Sequence, residues 1–392
     1  MNMAAFSNKL CIITTISGSI KSFYQGQIEA LNRAGIKTTV ICQNDNELRS
    51  LLPEGTDYIP VSFTRTMTPL LDIKALLELY FIFRKNRFDI VQYSTIKAAL
   101  LGSIAAFAAR VPIRIYIVWG LYYTSQTGLR KRLLKLFEKI ICLVSNLIIP
   151  IAHEMVHCIE SEKLAKADKC TVMLNGSACG VDFKKFDPDK CRDQGREIRG
   201  NLHIPPDGIV IGTVARLTGD KGINELAAAF NQLAQQMDNI FLLIVGNQEE
   251  KDRLLPDTEK LIHHHPRIFA VGRQINVPAY YAAMDIFCLP TYREGFGEVN
   301  LEAQAMGLPA VSTDVIGPRE SIDNGVTGFL VEARNTGALL APLAKLIKDS
   351  ELRKKMGNQA KQRVIKMFNR RDMINAVVNH RLMLLGNDNK SA

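Results

Sequence analysis

No apolar run in this chain reaches the roughly 20 residues that a membrane-spanning helix needs. The longest, residues 98–109 and 140–152, stop well short, and no span is predicted. None of the eight cysteines stands in a CxxC pair, which argues against structural zinc and for reduced thiols. The opening residues carry no secretory pattern: Lys9 interrupts them, and LCIITTI is shorter than a signal core and lacks a small-residue cleavage site after it. These absences together predict a cytoplasmic protein. Low-complexity tracts and internal repeats are missing too. The net charge of +10 comes without a zinc-finger, RNP or helix-turn-helix signature, so nucleic acid is not expected as a partner.

What is present is ordinary for a folded protein: 47% apolar and 22% charged residues over 392 positions. That length exceeds a single ordinary core and predicts two domains with a cleft between them. Of the +10, the first 180 residues carry +8, an excess suited to an anionic membrane surface or a diphosphate ligand.

Short β-rich runs alternate with amphipathic stretches, the pattern of strand–helix units that build parallel sheets. The first half offers KLCIITTI, KTTVICQ, DYIPVSF, DIVQYST, RIYIVWG, LIIPIA and CTVMLNG. The second offers IVIGTVARL, IFLLIVGN, RIFAVGR, IFCLPTY, PAVSTD and GFLV. The fold class is therefore α/β with two doubly wound sheets. Between them a glycine-containing, charge-rich stretch ending in HIPPDG places the boundary near residue 190, giving domains 1–190 and 191–365.

In open α/β sheets, ligands bind beyond the carboxyl ends of the strands. GTVARLTGDKG follows a strand and brings Arg216 and Lys221 to the mouth of a helix, INELAAAFNQL, where two cations, free N–H groups and the helix dipole suit a diphosphate. EGFGEVNLEA follows another strand. Its loop holds Glu294, and the helix that begins within it holds Glu302, eight positions on, closed by Gly307 and Pro309. A carboxylate can accept two hydroxyls at once, which fits a ribose or hexose diol. The backbone of Gly295, Phe296 and Gly297 can approach a sugar or phosphate closely because glycine lacks a Cβ. Nothing supplies the second carboxylate across a scissile bond that a glycosidase needs.

These segments resemble the family-4 glycosyltransferases. EGFGEVNLEA is similar to their E-x7-E motif and ARLTGDKG to their arginine-to-lysine diphosphate motif. NGSACGVDFKKF, YYAAMDIFCLPTYREGF, AMGLPAVSTDVIGPRE and NGVTGFLV fall in the expected order. In the first half FTRTMTPLLDIKAL, DIVQYSTIKAALLGSIAA and RIYIVWGLYYTSQTG extend the likeness to the subgroup that builds capsule, O-antigen and other lipid-linked glycans.

The resemblance implies a GT-B fold of two Rossmann-like domains, the first binding acceptor and the second the nucleotide sugar. A C-terminal helix within residues 366–385, part of a 366–392 segment, would return to the first domain. It also implies a retaining hexosyl- or N-acetylhexosaminyltransferase using a UDP- or GDP-sugar without cofactor or metal. Arg216 and Lys221 would neutralise the leaving diphosphate, Glu302 would hold the ribose, and Glu294 with residues 295–297 the donor sugar. Gly272 and Arg273 would border the base, and Gly18 in the first loop would face the donor. Relatives usually carry a histidine before the glycine of HGL. Here Trp119 precedes Gly120, which excludes a general base there and leaves either a core tryptophan or a flat apolar wall beside the sugar.

Other signals read as surface: the DPD at 187–189 as a linker turn, His263–His265 as a loop, and the i, i+4 pair His153 and His157 without an HExxH pattern. LRKRLLKLFEKIICLV, residues 129–144, is amphipathic and basic. It fits a core-facing helix or one that rests on anionic lipid through Arg130, Arg132, Lys131 and Lys135, placing the enzyme on the inner face of the cell membrane beside a polyprenyl-diphosphate-linked acceptor. Two further readings remain at this level: a binding protein that has lost catalysis, and a nucleotide-sugar epimerase of the same architecture.

Overall fold

The computed structural model describes residues 8–64, 66–249 and 252–386. The chain forms two compact units, one made of Met1–Cys179 with Arg371–Ala392, the other of Gly180–Arg370. The division falls at 179/180 rather than at 190. Val181 pairs with Phe368 and Arg370 through main-chain bonds of 2.7 and 3.0 Å, and helix Pro188–Asn201 packs on helix Val277–Ala282, so the supposed linker is built into the second unit.

The first unit holds a six-stranded parallel sheet of β1 (Asn8–Ile13), β2 (Ile36–Cys42), β3 (Asp57–Pro60), β4 (Ile90–Tyr93), β5 (Ile113–Val118) and β6 (Leu147–Pro150). Its order is β3-β2-β1-β4-β5-β6. CTVMLNG is not a strand. It makes one bridge, Cys170 to Ile148, and then turns through positive φ at Leu174, Gly176 and Ser177, so no ladder can propagate.

The second unit repeats the plan with β7 (Ile209–Val214), β8 (Ile240–Val245), β9 (Ile268–Ala270), β10 (Ile286–Leu289), β11 (Ala310–Thr313) and β12 (Gly328–Val331), ordered β12-β11-β10-β7-β8-β9. Numbered from its own start, each sheet reads 3-2-1-4-5-6, the doubly wound order. The central strands are continuous apolar runs because helices cover both faces; every residue of β8 is buried. Helix Ile223–Ala234 shows the matching stripe, burying Ile223, Leu226, Ala227, Phe230 and Leu233 at i, i+3, i+4, i+7 and i+10.

The strand order fixes where a ligand belongs. All these strands run parallel, but the order in which they are added reverses between β7 and β10 in the second unit, and between β1 and β4 in the first, so a crevice opens beyond the carboxyl ends of those neighbours.

Candidate active site

The loops leaving β7 and β10 flank the switch point of the second unit, and they hold Arg216, Lys221 and residues 294–297. Lys221 Nζ donates to Glu294 Oε1, joining two positions 73 residues apart in a pair whose side chains are only 15% and 19% exposed. Asp220, between Arg216 and Lys221, stitches the same two loops. Its carboxylate accepts from Thr218 Oγ1 at 2.7 Å and Arg293 Nη2 at 2.9 Å, and its carbonyl accepts from Tyr292 N at 2.8 Å. Burial pushes that carboxyl up, but the Thr218 bond and the charges of Lys221, Arg293 and Arg216 together outweigh it and leave it below its usual range.

Glycine makes the close approach possible. Gly222 sits at φ +70° and its α-carbon lies under the Pro290 carbonyl, where a Cβ would come within 1.9 Å of the oxygen. Gly297, at φ +88°, caps helix Glu298–Ala305. Between them Phe296 is buried with its ring 5.4 Å from that of Phe368, an anchor that fixes the path of the 294–297 main chain.

Arg216 is half exposed and pairs with Glu249 at 2.8 Å. The loops after β8 and β9 join the same edge: Leu217 N donates to Asn247 O at 2.9 Å, Arg273 N to Asn247 Oδ1 at 2.7 Å, and Gly246 N to Gly272 O at 2.9 Å. The Arg273 side chain is exposed. Glu302 is half-buried in the helix and accepts the Tyr281 hydroxyl at 3.0 Å. Burial pushes its carboxyl up to about 7, against the Tyr281 bond and the charges of Lys185 and Arg370.

The expected residues of the second unit are thus held by four interlaced loops and the helix that starts from one of them. Gly18 and Trp119 lie in the first unit. Gly18 is exposed, not in a loop but as the second residue of helix Ser17–Phe23 after β1. Trp119 follows β5, half-buried, its ring 4.6 Å from Phe23 and 5.9 Å from Tyr24. Sequence reading missed Asp220, Arg293, Glu249 and Tyr281. ARLTGDKG and TYREG display Asp220 and Arg293 in plain view beside the residues chosen, but nothing local says that they pair. His263 and His264 close helix Pro256–His264, and His153 opens helix His153–Ser161; among the described residues no group of three or more His, Cys, Asp or Glu could hold a metal.

Comparison with known proteins matches residues 9–173 to the glycosyl transferase 4-like family and residues 194–363 to the glycosyl transferases group 1 family. The Staphylococcus aureus capsular polysaccharide biosynthesis glycosyltransferase CapM is 34% identical over 363 residues, covering 92% of this chain and 93% of CapM. The Escherichia coli UDP-Gal:alpha-D-GlcNAc-diphosphoundecaprenol alpha-1,3-galactosyltransferase is 26% identical, covering 88% of each chain. Anabaena HepE, solved with UDP and glucose, superposes with a TM-score of 0.78 at 18% identity over 96% of this chain and 100% of its own. The likeness runs through both units, and the chain belongs to the family-4, group 1 glycosyltransferases, with their GT-B fold.

Proposed function

We propose that the chain transfers a sugar, with retention of anomeric configuration, from a UDP- or GDP-sugar to a lipid-linked glycan acceptor in the assembly of capsule or O-antigen. The observation that carries this reading is the pair Lys221–Glu294 at the switch point, with Arg216 in the same loop. A nucleoside diphosphate seated there meets two cations at the oxygens where charge builds as the glycosidic bond breaks, and preorganised charge of that kind stabilises the transition state directly. Glu294, once its lysine turns to phosphate, is free to accept hydroxyls of the donor sugar, with the 295–297 main chain beside it. Glu302 takes the ribose diol. Gly272 and Arg273 border the base. Because Arg216 and Lys221 supply the positive charge, turnover survives exhaustive EDTA treatment.

The choice of acceptor follows the relatives: the E. coli enzyme's name specifies a diphosphoundecaprenol-linked sugar. No helix among the described residues is long and apolar enough to cross a membrane, so access to such an acceptor is from the surface. Helix Gly128–Val144 buries Leu134, Glu138, Ile141 and Cys142 and leaves Leu129, Leu133, Leu136 and Leu143 exposed among Arg130, Lys131, Arg132 and Lys139. That face suits reversible contact with anionic lipid at the inner leaflet. Lys135 pairs with Glu162 and contributes least.

The deciding experiment incubates the protein with radiolabelled nucleotide sugars and membrane lipid extract and identifies the product by mass spectrometry. Donor hydrolysis without acceptor separates an enzyme from a binding protein. A labelled sugar epimerised and released with no lipid product would overturn the transferase assignment.

A further inference from the structure

Helix Arg370–Leu384 carries Arg381 into the interior of the first unit, where the side chain is 1% exposed. Burial pulls its guanidinium down to about 10, which leaves it cationic at neutral pH. Its hydrogen-bond partners are neutral. Nε and Nη2 donate to Gln92 Oε1 at 3.2 and 3.0 Å, and Nη1 bonds His380 Nδ1 at 2.7 Å. Burial, then the Arg381 charge, pushes His380 down to about 4, so it carries no charge at pH 7. Three of the five guanidinium N–H groups are thereby used and two remain. Among the described residues no carboxylate pairs with Arg381.

Burying a cation against neutral partners alone leaves its desolvation uncompensated, because hydrogen bonds orient dipoles but do not cancel the charge. Arg381 lines a small pocket, with about 30 Å³ of room for water-sized groups and a mouth open to solvent, whose walls include Gln27, Gln92, Trp119, Met173 and Val377. Gln27 is 8% exposed and its Oε1 is buried with no hydrogen-bond partner. Turned by 180°, the same amide presents Nε2 as a donor. A buried cation without a carboxylate, an amide that can turn its Nε2 inward and an apolar rim together describe a receptor for a small anion.

We propose that this pocket binds a small phosphate, free or as a monoester, through Arg381 and the Gln27 amide, with Trp119 as one wall. It lies wholly within the first unit and does not rest on the transferase reading. An oxyanion there supplies acceptors for the two remaining guanidinium N–H groups and removes the unpaired charge.

Trp119 is the chain's one tryptophan, so its fluorescence reports the pocket directly. Full-length protein in phosphate-free buffer is titrated with inorganic phosphate, methyl phosphate and sodium chloride at matched ionic strength. Thermal unfolding is followed in parallel. The expected result is saturable quenching or enhancement and a rise in Tm with one or both phosphates. A response to methyl phosphate as strong as that to the free ion identifies the monoester as an admissible occupant; a response to the free ion alone restricts the site to it. Gln92→Glu places a carboxylate on Arg381 itself. It is expected to raise Tm in phosphate-free buffer and weaken phosphate affinity by roughly tenfold or more. Gln27→Leu leaves Arg381 in place and is expected to weaken binding while folding normally. Lys221→Ala removes a cation of the second unit and should leave the signal intact. No saturable signal, an equal response to chloride, an unchanged affinity in Gln92→Glu, or loss of signal in Lys221→Ala alone would each overturn the site.

Discussion

The two units share one strand order but differ in their deepest charges: among the described residues the fully buried Glu138 and Arg381 both lie in the first, which also holds a matched pair, Lys97 with Asp72 at 2.5 Å. In the second, ions are matched: Lys221 with Glu294, Asp220 with Arg293, and Arg199 with Asp285 at 2.6 Å. In the first, two of the most deeply buried ionisable groups face neutral partners. Arg381 lies on Gln92, and Glu138, fully buried, accepts only the Tyr116 hydroxyl, at 2.7 Å, with its other oxygen unsatisfied. Matched pairs hold loops in register while waiting for a ligand that can replace one partner. An unmatched charge either waits for a ligand or lowers stability. Glu302, set against Tyr281, departs from the rule of its own unit, and it does so at the proposed donor site.

The largest expected effect comes from breaking the matched side. Lys221→Ala or Arg216→Ala should lower kcat by about 10²–10³, the loss typical of removing one preorganised donor from a developing oxyanion. Steady-state kinetics with the identified donor checks it, and near-normal kcat in both variants would remove the diphosphate assignment.

Next is the unmatched carboxyl. Burial pushes Glu138 up to about 7 from the usual 4.5. Below 4.5 both folded and unfolded states hold the proton and nothing is lost. Between 4.5 and 7 the unfolded chain ionises while the folded one does not, so stability falls as pH rises, and above 7 the deficit is constant. Glu138→Gln should therefore match the wild type in urea melts at pH 4.5 and exceed it at pH 8, by on the order of 3 kcal/mol at most. A constant difference across pH would contradict the argument.

A double-mutant cycle on Lys221→Met and Glu294→Gln gauges the matched pair itself. A coupling of about 0.5–3 kcal/mol is expected, each single variant being less stable than the double would imply by addition. Additive effects would show that the contact holds nothing in place.

The smallest effect concerns Glu302. With its carboxyl near 7, the ionised form that the proposed function assigns to the ribose hydroxyls gains population between pH 6 and 8. Nucleotide affinity by calorimetry should then rise by up to roughly tenfold across that interval, with the dependence lost in Glu302→Gln.

Much of this was legible in the sequence because it is local. Strand–helix alternation marked all the strands of both sheets, and the helices that follow the two site loops were visible from their apolar spacing and from Gly307. CTVMLNG misled because its composition suits a strand while its backbone turns left-handed within a few residues. The residue types of the site were legible as well, since cations and carboxylates stood beside glycines after strands. Their partners were not. Arg381 meets Gln92 across 289 residues and Lys221 meets Glu294 across 73, and no periodicity encodes a contact at that range. The division between units escaped for a related reason: a charged, glycine-bearing stretch reads as linker until its pairing with Phe368 and Arg370 is seen.

The carbonyl of Pro290 over the α-carbon of Gly222 sets which glycines of the candidate site tolerate substitution. Position 222 is closed to every side chain, alanine included, since the clash is with backbone that cannot swing aside. Gly18 meets only Ile16 Cδ1, at 3.9 Å, and has room for a larger residue. Saturation libraries that treat both as equivalent glycines will lose every clone at one and keep most at the other. Diversity therefore belongs at residue 18, with 222 left as it is.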